Sequence, residues 1–157
     1  MSILKSYYIS LTGNLNCKVY GAHWYEVGFQ STDPTSDFRG FGMLGPLMML
    51  AFATEQHEIL ITILQFVVGD NTKFPLSATL INMTKMAVEA LRQRKLNRVI
   101  IRMKSVVAAL NLFYFALTYK LFYIYKSENK TVRDHGFIML ELEMQANDSP
   151  ESLIKEY

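Results

Sequence analysis

This sequence predicts an all-α domain, and three observations carry the prediction. Apolar residues recur at helical spacing along most of the chain, convincing strand-like alternation is nearly absent, and turn-forming residues fall where helices would end. Half of the 157 residues are hydrophobic, enough to bury a core without disulfides or a structural metal.

The elements follow in order. An apolar segment over residues 1–23 (Ile3, Leu4, Tyr7, Tyr8, Ile9, Leu11) ends at Gly13-Asn14. Between Trp24 and Gly45 the periodicity fades, and glycines at 28, 40, 42 and 45 join Pro34 and clusters of Asp, Ser and Thr. That is loop chemistry. A loop of this length inside a compact domain is either functional or disordered. The aromatic anchors Trp24, Tyr25, Phe29, Phe38 and Phe41 favour an ordered one.

Pro46 suits a first helical position, where its missing N–H is no loss. An apolar run from Leu47 to Ala53 follows, and Thr54 with Glu55 and Glu58 reads as a new helix start. Ile59, Leu60, Ile63, Leu64, Phe66 and Val67 keep helical spacing until Gly69-Asp70-Asn71. Phe74-Pro75 opens the next helix, whose stripe of Leu76, Leu80, Met83, Met86, Ala90 and Leu91 leaves Lys85, Glu89 and Arg92 elsewhere on its surface. A break near Leu96-Asn97 leads to one long segment, Val99 to Tyr125. Residues 137–144 alternate in part, so a strand competes there with a helix. A polar linker at Asn147–Pro150 follows, and Ser149-Pro150-Glu151 has the chemistry of a short terminal helix. One domain over residues 1–157 is expected, with its core at about 20–145, a short segment at 1–19 and a tail or short helix at 146–157.

Sixteen basic and fourteen acidic side chains leave a formal charge of +2, which gives no general attraction to nucleic acid or to an anionic membrane. Cys17 is the single cysteine, so no internal disulfide forms, and the usage fits a reducing, intracellular and cytoplasmic setting. The organelle stays open. No apolar leader with a small-residue cleavage site is present. His23, His57 and His135 lack the spacing of a zinc site. There is no phosphate-cradling glycine loop followed by Lys-Ser/Thr and no nucleophilic triad, so the chain has no nucleotide site of its own and no cofactor is expected. The one local charge patch is Arg92, Arg94, Lys95, Arg98, Arg102 and Lys104. Such a run is ordinarily a solvated helix end; the competing readings are anionic lipid or an acidic partner surface. Nucleic acid is disfavoured because no aromatic stacking platform is interleaved with it.

Val106 to Tyr125 is almost free of charge, and ~20 such residues are long enough to span a bilayer. Lys104 and Lys126 flank it evenly, while Lys120 lies inside, at a cost of ~3 kcal/mol on insertion scales. A buried core helix is therefore favoured over a membrane span.

The most specific stretch is residues 23–45, His-Trp-Tyr-Glu-Val-Gly-Phe-Gln-Ser-Thr-Asp-Pro-Thr-Ser-Asp-Phe-Arg-Gly-Phe-Gly-Met-Leu-Gly. It resembles the signature of the engulfment-and-cell-motility (ELMO) domain. Trp24, Gly28, Phe29, Gln30, Pro34, Asp37, Phe38, Arg39, Gly40, Gly42, Leu44 and Gly45 match that signature in register without a gap. Ile81-Asn82-Met83-Thr84-Lys85-Met86-Ala87 is similar to a downstream helix of the same family. Ser36 stands where the family usually has Thr, and Pro46 where it has Leu.

The resemblance implies an all-helical partner of a small GTPase of the ADP-ribosylation-factor-like group. In the members that activate such GTPases, the Arg of Asp-Phe-Arg-Gly acts in catalysis; here that is Arg39. Asp37 would hold its guanidinium, Gly40 and Gly42 would admit a partner's backbone, and Gln30 would orient a water or the loop. Trp24, Phe29 and Phe38 would anchor the loop to the core. Activating members carry a longer helical region before the signature, and only some twenty residues precede Trp24 here, which implies a trimmed domain with partner binding weakened or lost. The family's other branch serves as non-catalytic scaffold in larger assemblies, so that role competes, as does a plain ion pair from Arg39 to Asp37 or Asp33.

Overall fold

Ser2–Thr12 forms α1, which buries Leu4, Tyr7, Tyr8 and Leu11 at the i, i+3, i+4, i+7 spacing of one helical face. Gly13 ends it: its N–H bonds the Ile9 carbonyl at 2.8 Å with φ at +70°, a left-handed stop that glycine adopts without strain. The apolar segment at the start of the sequence is therefore a core helix. The computed structural model describes residues 2–38, 40–70 and 72–157, and Arg39 lies outside that set.

The chain divides into two compact units, residues 1–82 and 83–157. In the first, the loop after α1 carries two 3-10 turns, Ala22–Val27 and Pro34–Asp37. Then come α2 (Leu44–Glu55) and α3 (His57–Val67). Pro46 sits in the first turn of α2, where a missing N–H is tolerated. The sequence places a new helix start at Thr54. Instead Thr54 belongs to α2, its hydroxyl donating back to the Leu50 and Ala51 carbonyls, both at 3.0 Å. The break falls at Gln56, and the chain bends there by 108°. Met48, Met49, Phe52 and Ala53 of α2 and Leu60, Ile63, Leu64 and Val67 of α3 are buried, as is Phe74 beyond them. α4 (Leu76–Arg92) then crosses the boundary between the units.

In the second unit the segment read as continuous from Val99 is two helices, α5 (Asn97–Met103) and α6 (Val106–Ser127). Lys104 adopts a left-handed conformation at φ +54°, and the Ser105 hydroxyl caps α6 by accepting the Ala108 N–H at 3.2 Å. Neither glycine nor proline announces that break. α7 (His135–Asp148) and α8 (Pro150–Glu156) complete the unit. Residues 137–144 are helical, which settles the strand alternative. Only Ser149 separates α7 from α8, so the expected linker is a single residue.

α6 buries every residue from Phe113 to Thr118, which leaves no solvent-facing stripe in that stretch. Lys120, the charge inside the apolar run, pairs with Glu156 of α8 at 2.6 Å. Among the described residues α6 is the one unbroken helix long and apolar enough to cross a membrane, and 56% of its most apolar stretch is buried. A largely buried helix is the arrangement favoured by its sequence.

Candidate functional site

The signature loop is built around Trp24. Its indole is fully buried and meets Tyr8 and Phe29 edge-on, each at 5.5 Å between ring centres, while Nε1 donates to the Val19 carbonyl at 3.1 Å. His23 packs beside it at 4.9 Å. Tyr8 also donates its hydroxyl to Glu26 at 3.0 Å; burial first, and the Glu26 carboxylate second, push the Tyr8 phenol up from its ordinary pKa. The aromatic cluster thus fixes the loop onto α1.

A second fixing point lies on α4. The Ser77 hydroxyl donates to the Val27 carbonyl, and the Tyr7 hydroxyl in turn bonds Ser77 Oγ at 3.0 Å, all in buried surroundings. Burial drives the Tyr7 phenol far above its ordinary value, so it remains a neutral donor. The Gly28 carbonyl accepts the Ala78 N–H at 3.2 Å, which satisfies one of the amides at the start of α4. Gly28 has φ +84°, and a Cβ there would press on the Leu76 amide nitrogen and stand 2.9 Å from that of Ser77. Glycine is the residue that permits this approach.

Asp37 is 6% exposed, and its Oδ2 accepts the Gln30 N–H at 2.8 Å, tying the second 3-10 turn to the segment that follows the first. Asp33 caps the second turn, its Oδ1 accepting from the Thr35 N–H at 2.9 Å and the Thr35 hydroxyl at 2.7 Å. Gly21 N–H to Thr32 carbonyl, 2.9 Å, closes the base of the loop. Phe29 is buried, Phe38 half-buried and Gln30 exposed. Gly40 and Gly42 are exposed with φ +75° and +52°, and nothing lies within 4 Å of where their Cβ atoms would be. The loop is therefore anchored at Trp24, Gly28 and Asp37 and presents Gln30, Gly40 and Gly42 outward. Arg39, the residue on which the catalytic reading turns, falls between them in sequence and outside the described residues.

No group of three or more His, Cys, Asp or Glu able to hold a metal occurs among the described residues. Tyr7 and Ser77 are the partners that sequence reading missed. They lie far apart in the chain, and a serine in a helical first turn carries no sign of a distant partner.

A family model described as the ELMO/CED-12 family matches residues 2–139 of this chain. The chain belongs to the ELMO/CED-12 family. That match takes in α1, which the signature alone does not reach. The chain is similar to ELMO domain-containing protein 3 of Bos taurus, 35% identical over 156 residues covering 98% of this chain and 41% of that protein. It is 33% identical over the same length to ELMO domain-containing protein 3 of Homo sapiens. ELMO domain-containing protein 2 of Homo sapiens matches at 34% over 91 residues, 54% of this chain and 29% of that protein. The chain thus spans about two fifths of the length of the first two relatives, 41% of each. No solved structure gives a significant match.

Proposed function

We propose that this ELMO domain binds a small GTPase of the ADP-ribosylation-factor-like group and accelerates its GTP hydrolysis through Arg39. The observation that carries the reading is the construction of the signature loop. Buried aromatic and hydrogen-bonded anchors hold its base, while Gln30 and the glycines that follow Arg39 in sequence, Gly40 and Gly42, face solvent. As the terminal phosphate bond breaks, charge builds on the phosphate oxygens. A planar, permanently charged guanidinium binds that charge at two points. Gly40 and Gly42 themselves offer no side chain to a partner's approach, and the space around them is open. The free thiol of Cys17 accords with a reducing, cytoplasmic setting.

A second reading is favoured by α7, where Phe137 is 80% exposed, Leu140 58% and Met144 59% along one helical face. A scaffold subunit of a larger assembly would cover such a row without any catalytic role.

Single-turnover GTP hydrolysis by a panel of ADP-ribosylation-factor-like GTPases separates the two. Acceleration on the order of 10³-fold or more by wild type, lost in Arg39→Lys with binding retained, is the expected result. Well-folded wild type that accelerates no member overturns the catalytic reading and leaves the scaffold.

A further inference from the structure

The turn joining α5 to α6 pushes apolar side chains into solvent. Ile101 is 76% exposed and Val107 68%, with Val106 at 48% beside them. On α5 the residues Arg98, Ile101 and Arg102 follow the i, i+3, i+4 spacing of one outward face, while Val99 is buried on the other side. Lys104 stands at the turn itself. Along the sequence the charge here has one sign: from Glu89 to Glu128 no acid lies between the two, yet the stretch includes Arg92, Arg94, Lys95, Arg98, Arg102 and Lys104.

We propose that this corner docks the protein on an anionic lipid surface, Ile101 and Val107 entering the acyl boundary while Arg102, Lys104 and Arg98 meet headgroup phosphates. The proposal does not depend on Arg39 or on any GTPase. Long basic side chains lay their stems along apolar surface and keep their charges at headgroup level, so a corner of alternating aliphatic and cationic residues matches both layers of the interface. A protein partner is the poorer fit, because protein interfaces are centred on aromatic anchors seated in pockets. No aromatic residue lies between Leu96 and Leu112, and Ile101 and Val107 project from the surface.

Glu151 approaches Arg98 at 3.9 Å, and with Asp148 it lines a cleft of about 550 Å³ that also holds Arg94, Lys95 and Lys155. That cleft is of mixed charge. Arg102, Lys104, Ile101 and Val107 do not line it, so the tip of the corner keeps its positive field.

Flotation of the intact chain with vesicles of phosphatidylcholine, with and without phosphatidylserine, tests the proposal. Two variants accompany wild type: Ile101→Ser/Val107→Ser, which keeps all charges, and Arg102→Gln/Lys104→Gln, which keeps the apolar tip. All four positions are exposed, so unchanged circular dichroism is expected of both. Wild type should float with the phosphatidylserine vesicles, less so as salt is raised. Each lost cation should lower partition about fivefold, and the serine pair about tenfold or more. Failure of wild type to bind the anionic vesicles overturns the proposal, as does binding that neither variant alters. Retention on immobilised polyglutamate that the serine pair leaves intact, with no vesicle binding, would replace it with an acidic macromolecular partner.

Discussion

Gly28 and Gly40 both hold positive φ in one loop, yet they answer to different constraints. At Gly28 the backbone of α4 occupies the space a side chain would need, whereas Gly40 opens onto solvent. Gly28→Ala is therefore expected to cost about 3 kcal/mol, from strain plus displacement of the α4 start. Gly40→Ala carries only the left-handed penalty of about 1 kcal/mol. Urea unfolding of both variants checks this, and equal losses would sink the close-approach argument. The signature marks both glycines in the sequence. What separates them is Leu76 and Ser77, which arrive from a distant helix. Asp37 likewise takes a role its sequence position does not show, accepting the Gln30 amide seven residues back, while the hold on Arg39 expected of it lies outside the described residues.

Among the helices, α4 was the most legible, since its apolar stripe and its polar residues fix period and face together. Its end was not. The Lys95 N–H bonds the Ala90 carbonyl at 2.9 Å and the Arg94 N–H bonds the Leu91 carbonyl at 3.0 Å, a Schellman closure with Arg94 at φ +60° where glycine is usual. Arg94→Gly is expected to raise stability by about 1 kcal/mol by relieving that conformation. A shift of the urea midpoint to higher concentration at unchanged slope is the readout. The turn between α5 and α6 hides for the same reason. Lys104 takes a position that glycine would have advertised, and Ser105 is a cap only because α6 starts after it.

For the molecule as a whole, pH exposes groups whose ionisation folding alters. Tyr125 Oη and His135 Nδ1 share a hydrogen bond at 3.0 Å, and burial holds His135 below its ordinary pKa. Stability from neutral His135 is complete above about 6.5 and is lost as pH falls through the lowered folded value. Asp134, held below the usual carboxylate range by the Thr131 amide and then its hydroxyl, adds the same sign at lower pH. On the alkaline side Tyr125 is pushed up to about 12 by burial and then by Asp134. It stabilises the fold below its unfolded value and loses that contribution as pH rises from about 10 towards 12. Thermal unfolding across pH should show both limbs, with Tyr125→Phe flattening the alkaline one. An unchanged alkaline limb in that variant would remove Tyr125 as its source.

The helical class, the buried faces of α3 and α4 and, through the ungapped run from Trp24 to Gly45, the family are all legible in the chain alone. These are properties of local spacing and local residue type, and a chain carries them wherever it folds. Long-range packing sets the rest: the first apolar segment is a core helix, the chain turns at Gln56 and at Lys104-Ser105, and Tyr7, Ser77 and Val27 form one buried chain of hydrogen bonds. Each depends on which distant residue satisfies a polar group or fills a face. Burial makes an unpaired donor or an empty face costly only once the partners have met.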